Sequence, residues 1–250
     1  MTNKKSTKLI FSKPLIEGLI KSRPNRFIFE VLINNKTIKV HCPSTGRIGN
    51  IKFENIPCFL SASENPARKT PYTAEAISLD LPAKKNKQWI GINQVKANSY
   101  IEFFLKTGQL SKMFFSSQII KREVKLKNSR IDFLINDVDY LEVKTPLKDM
   151  PTIGHPNYLG KHQPLTEFNR LIKHLQDISQ SIGPKSRALF LMCYLYDSPA
   201  FQVPPVVKAE QRIVRAAKQA FNRGMENWQI NLKIDKTGVS LRDYFKLKLF

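Results

Sequence analysis

The chain has 250 residues and 42% hydrophobic content, enough for one large core or two small ones. Forty-one Lys plus Arg against twenty Asp plus Glu give a net charge of +21 and a pI near 10.0, the electrostatic footprint of a protein that meets a polyanion. No apolar run approaches the roughly 18 residues that span a bilayer, the start lacks a signal-peptide core, and the three cysteines lack metal-ligand spacing; a membrane partner is excluded and a reduced, cytoplasmic protein is expected.

In chain order, residues 1–12 read as a basic tail. Strands follow over 27–33 and 37–40, joined by a turn at Asn34-Asn35, and again over 58–62 and 76–79. Short, closely spaced strands imply a small closed barrel within residues 13–84, because closure protects sheet edges. The polar stretch 82–88 connects to a second domain over 85–236, and 237–250 reads as a C-terminal extension. That domain opens with a helix over 97–105, with Asn98 or Ser99 as its cap, and continues through an extended basic segment over 119–128. After a hairpin at 130–144 comes an amphipathic helix over 165–179, with Leu171, Ile172, Leu175 and Ile178 at helical spacing. The apolar run 188–195 suits a buried central strand, followed by a helix over 207–222 and a strand over 228–234. This order fits an α/β core.

The hairpin carries the chemistry. Ile131, Phe133 and Ile135 share one face of its first strand, and Leu141 and Val143 share one face of its second. Burying both sets together selects a register in which Phe133 faces Leu141 and Ile131 faces Val143, with Asn136-Asp137-Val138 as a three-residue loop. On the opposite face Asp132 then lies across from Glu142, with Lys144 beside them. Carboxylates so placed have Cβ atoms roughly 5 Å apart and repel unless a cation lies between them. Hard oxygen ligands suit Mg2+ or Mn2+, which would hold a phosphate and activate water, and Lys144 would orient that water. The ordinary alternative is a surface hairpin whose charges are solvated.

The spacing Asp132…Glu142-x-Lys144 resembles the PD-(D/E)XK nuclease signature. Ser129-Arg130-Ile131-Asp132-Phe133-Leu134 with Glu142-Val143-Lys144 is similar to the sugar fermentation stimulation protein A (SfsA) family. So are His41-Cys42-Pro43-Ser44-Thr45-Gly46-Arg47, Arg68-Lys69-Thr70-Pro71-Tyr72-Thr73 with Glu75, Gly91-Ile92-Asn93 with Ala97-Asn98, and Arg187-Ala188-Leu189-Phe190, in the family's order. The resemblance implies an α/β fold with an all-β N-terminal domain: an OB-like barrel followed by a PD-(D/E)XK nuclease-like mixed-sheet domain. It also implies nonspecific DNA binding.

Glu123 matches a family glutamate and is a candidate third carboxylate, an exposed charge being the ordinary alternative. Arg47, Arg68 and Lys69 are the family-like basic positions of the barrel, with Tyr72 available to stack on a base or to pack in the barrel core. In the register above Arg130 pairs with Lys144 and is a candidate phosphate contact. Arg170, Lys173 and His174 lie on a helix similar to the family's, and Lys173 is the preferred phosphate contact there. Departures occur nearby: His155-Pro156-Asn157 stands where the family tends to have Pro-Asp-Ala, a stretch is added up to Phe168, and Leu171 replaces a glycine.

Three functions follow. The first is a magnesium-dependent nuclease, a phosphodiester hydrolase acting on DNA or RNA, with Asp132 and Glu142 as metal ligands, the Val143 carbonyl as a further ligand and Lys144 positioning water. The second is a non-catalytic DNA-binding regulator of sugar (maltose) catabolism. The third is a basic protein-interaction module. Nucleic acid is the expected partner, and the oligomeric state is open, a homodimer being one option.

Overall fold

The computed structural model describes residues 7–116, 118–126, 129–148, 150–160, 168–203 and 211–249, with the backbone alone at 168–170. The N-terminal sheet is built from β2 (Ile16–Asn25), β3 (Ile28–Ile33), β4 (Lys36–His41), β5 (Ile56–Ala62) and β6 (Tyr72–Ile77). Neighbours pair antiparallel in the order β4-β3-β2-β5-β6, and a parallel bridge between His41 and Thr73 closes the ring between β4 and β6. That is the OB-like barrel. Alternation fills it: Ile20, Phe29, Val31, Val40, Cys58 and Leu60 all lie in its core. The β3–β4 turn is the expected Asn34-Asn35, both at positive φ, a conformation that asparagine tolerates and a two-residue hairpin turn requires.

The second sheet has seven strands in the order β1-β13-β12-β11-β10-β9-β8. They are β1 (Lys8–Ile10), β8 (Ile120–Leu126), β9 (Ser129–Ile135), β10 (Asp139–Lys144), β11 (Ala188–Tyr194), β12 (Glu226–Asp235) and β13 (Gly238–Lys246). β10–β11 and β11–β12 are parallel and the other pairs antiparallel, so the sheet is mixed. β11 is the buried central strand expected from its apolar run. Leu189, Leu191 and Cys193 face a cluster that includes α1 (Ala97–Lys106), while Ala188, Phe190 and Met192 face one that includes α2 (Phe168–Ser179) and α3 (Gln211–Asn222). The first residues expected in the last two helices, 165–167 and 207–210, lie outside the described residues.

Three expected boundaries differ. The tail over 1–12 contains β1, which pairs with β13 while Lys8 bonds the Asp235 carboxylate at 2.6 Å. The extension over 237–250 contains β13, turned back on β12 where the Asp235 side chain accepts from the Thr237 and Gly238 amides. Only glycine fits at 238, since a Cβ there would stand 2.0 Å from the Leu9 carbonyl oxygen. The barrel also runs past residue 84, because β7 (Ile90–Gly91) pairs with β6. Gly91 is where the domains meet: its amide donates to the Leu195 carbonyl, and a Cβ would lie 2.4 Å from Ile234 and 2.5 Å from Leu195.

Candidate active site

The β9–β10 hairpin forms with the expected loop, Asn136 and Asp137 at positive φ and the Val138 amide donating to the Ile135 carbonyl. Its register is the expected one, Ile135 against Asp139, Leu134 against Tyr140 and Phe133 against Leu141. The ladder then stops. Where Ile131 would face Val143, the Val143 amide instead donates to Asp132 Oδ2 at 2.7 Å. In an extended strand the N–H and C=O of one residue point to the same side, so the Val143 carbonyl also faces the Asp132 flank. The ladder opening also separates Arg130 from Lys144, and Arg130 pairs with Lys125 of β8.

Asp132 is partly buried, and its Oδ1 accepts a 2.8 Å bond from Asn98 Nδ2 at the start of α1. Glu142 is 1% exposed on the sheet face covered by α2. Its Oε1 accepts from Lys144 Nζ and lies 2.7 Å from His174 Nδ1, whereas Oε2 has no hydrogen-bond partner among the described residues. Burial first, then the charge of Glu142, holds the Asp132 carboxyl above its ordinary range. Burial also pushes the Glu142 carboxyl up, but the His174 bond and the Lys144 ammonium outweigh it and hold Glu142 below its ordinary range. The result is a buried, ionised glutamate with one orphaned oxygen, next to an aspartate destabilised by it.

An orphaned buried carboxylate oxygen is costly, and a cation is the group that removes both this cost and the repulsion between the two acids. The donors present, Asp132, Glu142 Oε2 and the Val143 carbonyl, are all hard oxygens and fit Mg2+, Mn2+ or Ca2+. Among the described residues no three His, Cys, Asp or Glu side chains form a metal-holding cluster, so a cation held between Asp132 and Glu142 would need main-chain oxygen and water to fill its shell.

The other expected residues are dispersed. Glu123 sits on β8 between the residues that pair with Phe133 and Ile131, exposed and at φ 52°. Lys173 is exposed on α2, and the Arg170 side chain lies outside the described residues. Arg47 and Lys69 are exposed barrel-loop residues. Arg68 donates to Thr73 Oγ1 at 3.0 Å, and Tyr72 is partly buried against the barrel core. The divergent Asn157 binds the Lys52 and Glu54 carbonyls, tying its segment to the barrel.

Two site residues escape a charge-based reading. Asn98 is read as a helix cap, but α1 has no side-chain cap and Asn98 serves Asp132 instead. His174 is passed over in favour of Lys173, yet it falls between Leu171 and Ile178 on the buried stripe of α2 and is turned onto Glu142.

Residues 22–92 match the SfsA N-terminal OB domain, and residues 95–238 match the sugar fermentation stimulation protein RE domain. A sugar fermentation stimulation protein homolog of Synechococcus sp. is 30% identical over 233 residues, covering 92% of this chain and 91% of the relative. One from Synechocystis sp. is 31% identical over 235 residues, covering 90% and 92%. The structure of Pyrococcus furiosus SfsA, solved in complex with Ca2+, superposes with a TM-score of 0.72 at 18% identity, covering 98% of this chain and 99% of that one. With both domain models matched in order and relatives aligned along nearly their whole length, the chain belongs to the sugar fermentation stimulation protein family.

Proposed function

We propose that the chain is a divalent-metal-dependent nuclease that hydrolyses phosphodiester bonds in DNA, with RNA as a second substrate, and that it holds nucleic acid through basic, sequence-indifferent contacts. The observation that carries this reading is the Glu142 carboxylate, buried, held ionised, and left with Oε2 unpartnered among the described residues beside Asp132. A relative solved with Ca2+ supports a divalent cation in this fold.

Asp132, Glu142 Oε2 and the Val143 carbonyl would hold the metal. When bound, Mg2+ or Mn2+ polarises the scissile phosphate and lowers the pKa of a water nucleophile. Lys144, anchored on Glu142 Oε1, orients that water or offsets charge developing on the phosphate. His174 fixes the Glu142 rotamer from α2, and Asn98 and the Val143 amide fix Asp132 from both sides. The +21 charge draws the polyanion in, through contacts that weaken steeply with salt. The three cysteines, all buried free thiols, suit a cytoplasmic enzyme.

Linear, circular and single-stranded DNA and RNA, incubated with Mg2+ or Mn2+, test this directly. Wild type cleaves at least one of them, whereas Asp132→Ala and Lys144→Ala bind but do not cleave; equal cleavage by all three proteins overturns the assignment. The relatives' name and the divergent His155-Pro156-Asn157 segment favour a second reading, a DNA-binding regulator of sugar catabolism. Binding without cleavage under any divalent ion selects it.

A further inference from the structure

Several exposed cations of the molecule sit on acids: Lys52 on Glu54, Lys106 on Glu102 and Lys121 on Asp137. The helical layer of the second domain is different. α3 contains no Asp or Glu. Its Ala216, Ala217, Ala220 and Phe221 pack into the core, while its outer side presents Arg212, Arg215 and Lys218 with Gln219 and Asn222. Arg223 follows in the same turn, its amide still donating to the Gln219 carbonyl. At 3.6 residues per turn the three arginines lie within about 80° of one another and span about 16 Å along the axis. None of the three has a carboxylate partner among the described residues. α2 beside it exposes Lys173, and its one acid, Asp177, is turned inward onto Ser129.

Topology aims this surface at the candidate site. β11 is parallel to both β10 and β12, and α3 joins the end of β11 to the start of β12. It therefore begins at the end of the sheet where β10 finishes in Lys144, and runs back from there. Its Ala216 and Ala220 share a core cluster with Phe190, the register partner of Glu142, so α3 lies on the sheet face that carries Glu142. The side chains name the ligand. Arginine forks and side-chain amides are donors to phosphate. The stripe carries no aromatic ring, Phe221 being packed inward, and so has nothing on which unpaired bases stack. A ligand that offers phosphates along a line and keeps its bases turned away is a duplex. One of its strands places a phosphate about every 3.4 Å, which puts about four or five along this stripe.

We propose that the α3 stripe binds the phosphate backbone of a double-stranded segment flanking the phosphodiester held at Asp132 and Glu142, so that the chain takes duplex in preference to single-stranded substrate. The proposal rests on the nuclease reading for that site, but its test is binding in EDTA. A short DNA duplex and one of its single strands are titrated over a range of salt concentrations against wild type and Arg212→Gln/Arg215→Gln/Arg223→Gln. All three positions are exposed, and glutamine is about as good a helix former as arginine, so the helix is retained. A second variant carries lysine at the same three positions. As a control, Lys36→Gln/Lys39→Gln/Lys85→Gln removes equal charge from exposed positions of the barrel and its connection.

Each lost phosphate contact makes the salt slope for a duplex about 0.9 shallower, so the glutamine variant becomes shallower by about 2–3 and binds duplex roughly 100-fold more weakly at 0.1 M salt. The lysine variant keeps the wild-type slope, the control loses less than about one contact's worth, and the single strand loses less than about tenfold. An unchanged duplex slope in the glutamine variant overturns the proposal. So does an equal fall in the control, which means diffuse charge, or an equal loss for single strand and duplex. Phosphatidylserine vesicles that bind more tightly than duplex, with the same dependence on the three arginines, overturn it in favour of a membrane surface. A protein that shows the stripe effect yet never cleaves refutes the nuclease reading alone, and one that cleaves while its glutamine variant keeps the wild-type slope refutes this proposal alone.

Discussion

Glu142→Gln separates the proposed metal site from the fold. In the wild type Oε1 serves Lys144 and His174 while Oε2 has no partner among the described residues, so a glutamine retains the bonded oxygen and places its amide nitrogen at the orphan position. Two consequences of losing the charge oppose one another. The ionised Glu142 favoured by His174 and Lys144 is gone, which costs stability, but Asp132, held up by burial and then by Glu142, is relieved of its like-charged neighbour. Metal-free stability therefore stays within about 1 kcal/mol of wild type, the net scale of one hydrogen bond. The response to cation is much larger. A ligand that binds only the native state adds about 2.7 kcal/mol at a hundredfold excess over its Kd. At roughly 2–4 °C per kcal/mol for a chain of this size, that is about 5–11 °C in Tm. Thermal unfolding in EDTA and then in Ca2+, Mg2+ or Mn2+ measures both: wild type rises by that amount with cation, and Glu142→Gln does not. A variant that keeps the wild-type cation shift, or one that loses more than about 3 kcal/mol without metal, the cost of an unpaired buried group, refutes the reasoning.

His174→Ala removes the α2 support of Glu142 and should weaken metal affinity about 10- to 100-fold, read by calorimetry, with partial recovery in His174→Asn, whose amide can still donate to Oε1. Gly91→Ala forces a methyl between Leu195 and Ile234 and should cost about 1–3 kcal/mol in urea unfolding; an unchanged midpoint would mean that the domain junction yields freely. Burial raises the Glu226 carboxyl, but Trp228, Lys246 and Arg187 together hold it below its ordinary value of 4.5. Its contribution is therefore complete above that value and is lost as pH falls through the lower folded value. Glu226→Gln should flatten that part of the acid limb in a denaturation series, and an identical limb would exclude the linkage.

The hairpin was legible in part because its two determinants are local: alternation placed Phe133, Ile135, Leu141 and Val143 in one core and the three-residue loop fixed the register, whereas Ile131, expected on the same face, falls in the core under α2 and α3. What alternation does not encode is where a ladder stops. The expected pairing of Ile131 with Val143 gives way because the Asp132 side chain takes the Val143 amide, a competition between side chain and backbone that no periodicity reports. The two terminal strands were hidden for a different reason. β1 has only three residues, and β13, which β1 covers only at residues 238–240, carries Arg242 and Asp243 beyond that pairing, where its outer side is open, so neither reads as a strand until the sheet they complete is known. For His174 a signal existed. Beside Leu171, Leu175 and Ile178 it is, like Asp177, a polar residue on the buried side of α2, and a polar residue there needs a partner, which Glu142 provides for His174 and Ser129 for Asp177.

That competition explains why the barrel and the second domain act on one site. Each carboxylate is fixed by a group from another element: Glu142 by His174 of α2, Asp132 by Asn98 of α1. α1 is in turn placed by the segment leaving β7, whose Gly91 amide binds β11's neighbour Leu195 and whose Gln94 binds Thr145 after β10. Between residues 91 and 98 the chain thus crosses from barrel to sheet, grips the sheet at two main-chain carbonyls, and delivers the amide that orients Asp132. A shift of the barrel moves Asn98, and with it the Asp132 carboxylate whose bond to Val143 keeps the ladder open. The barrel is part of the site's geometry, so strengthening or loosening the junction at Gly91 reaches the proposed metal ligands without touching them.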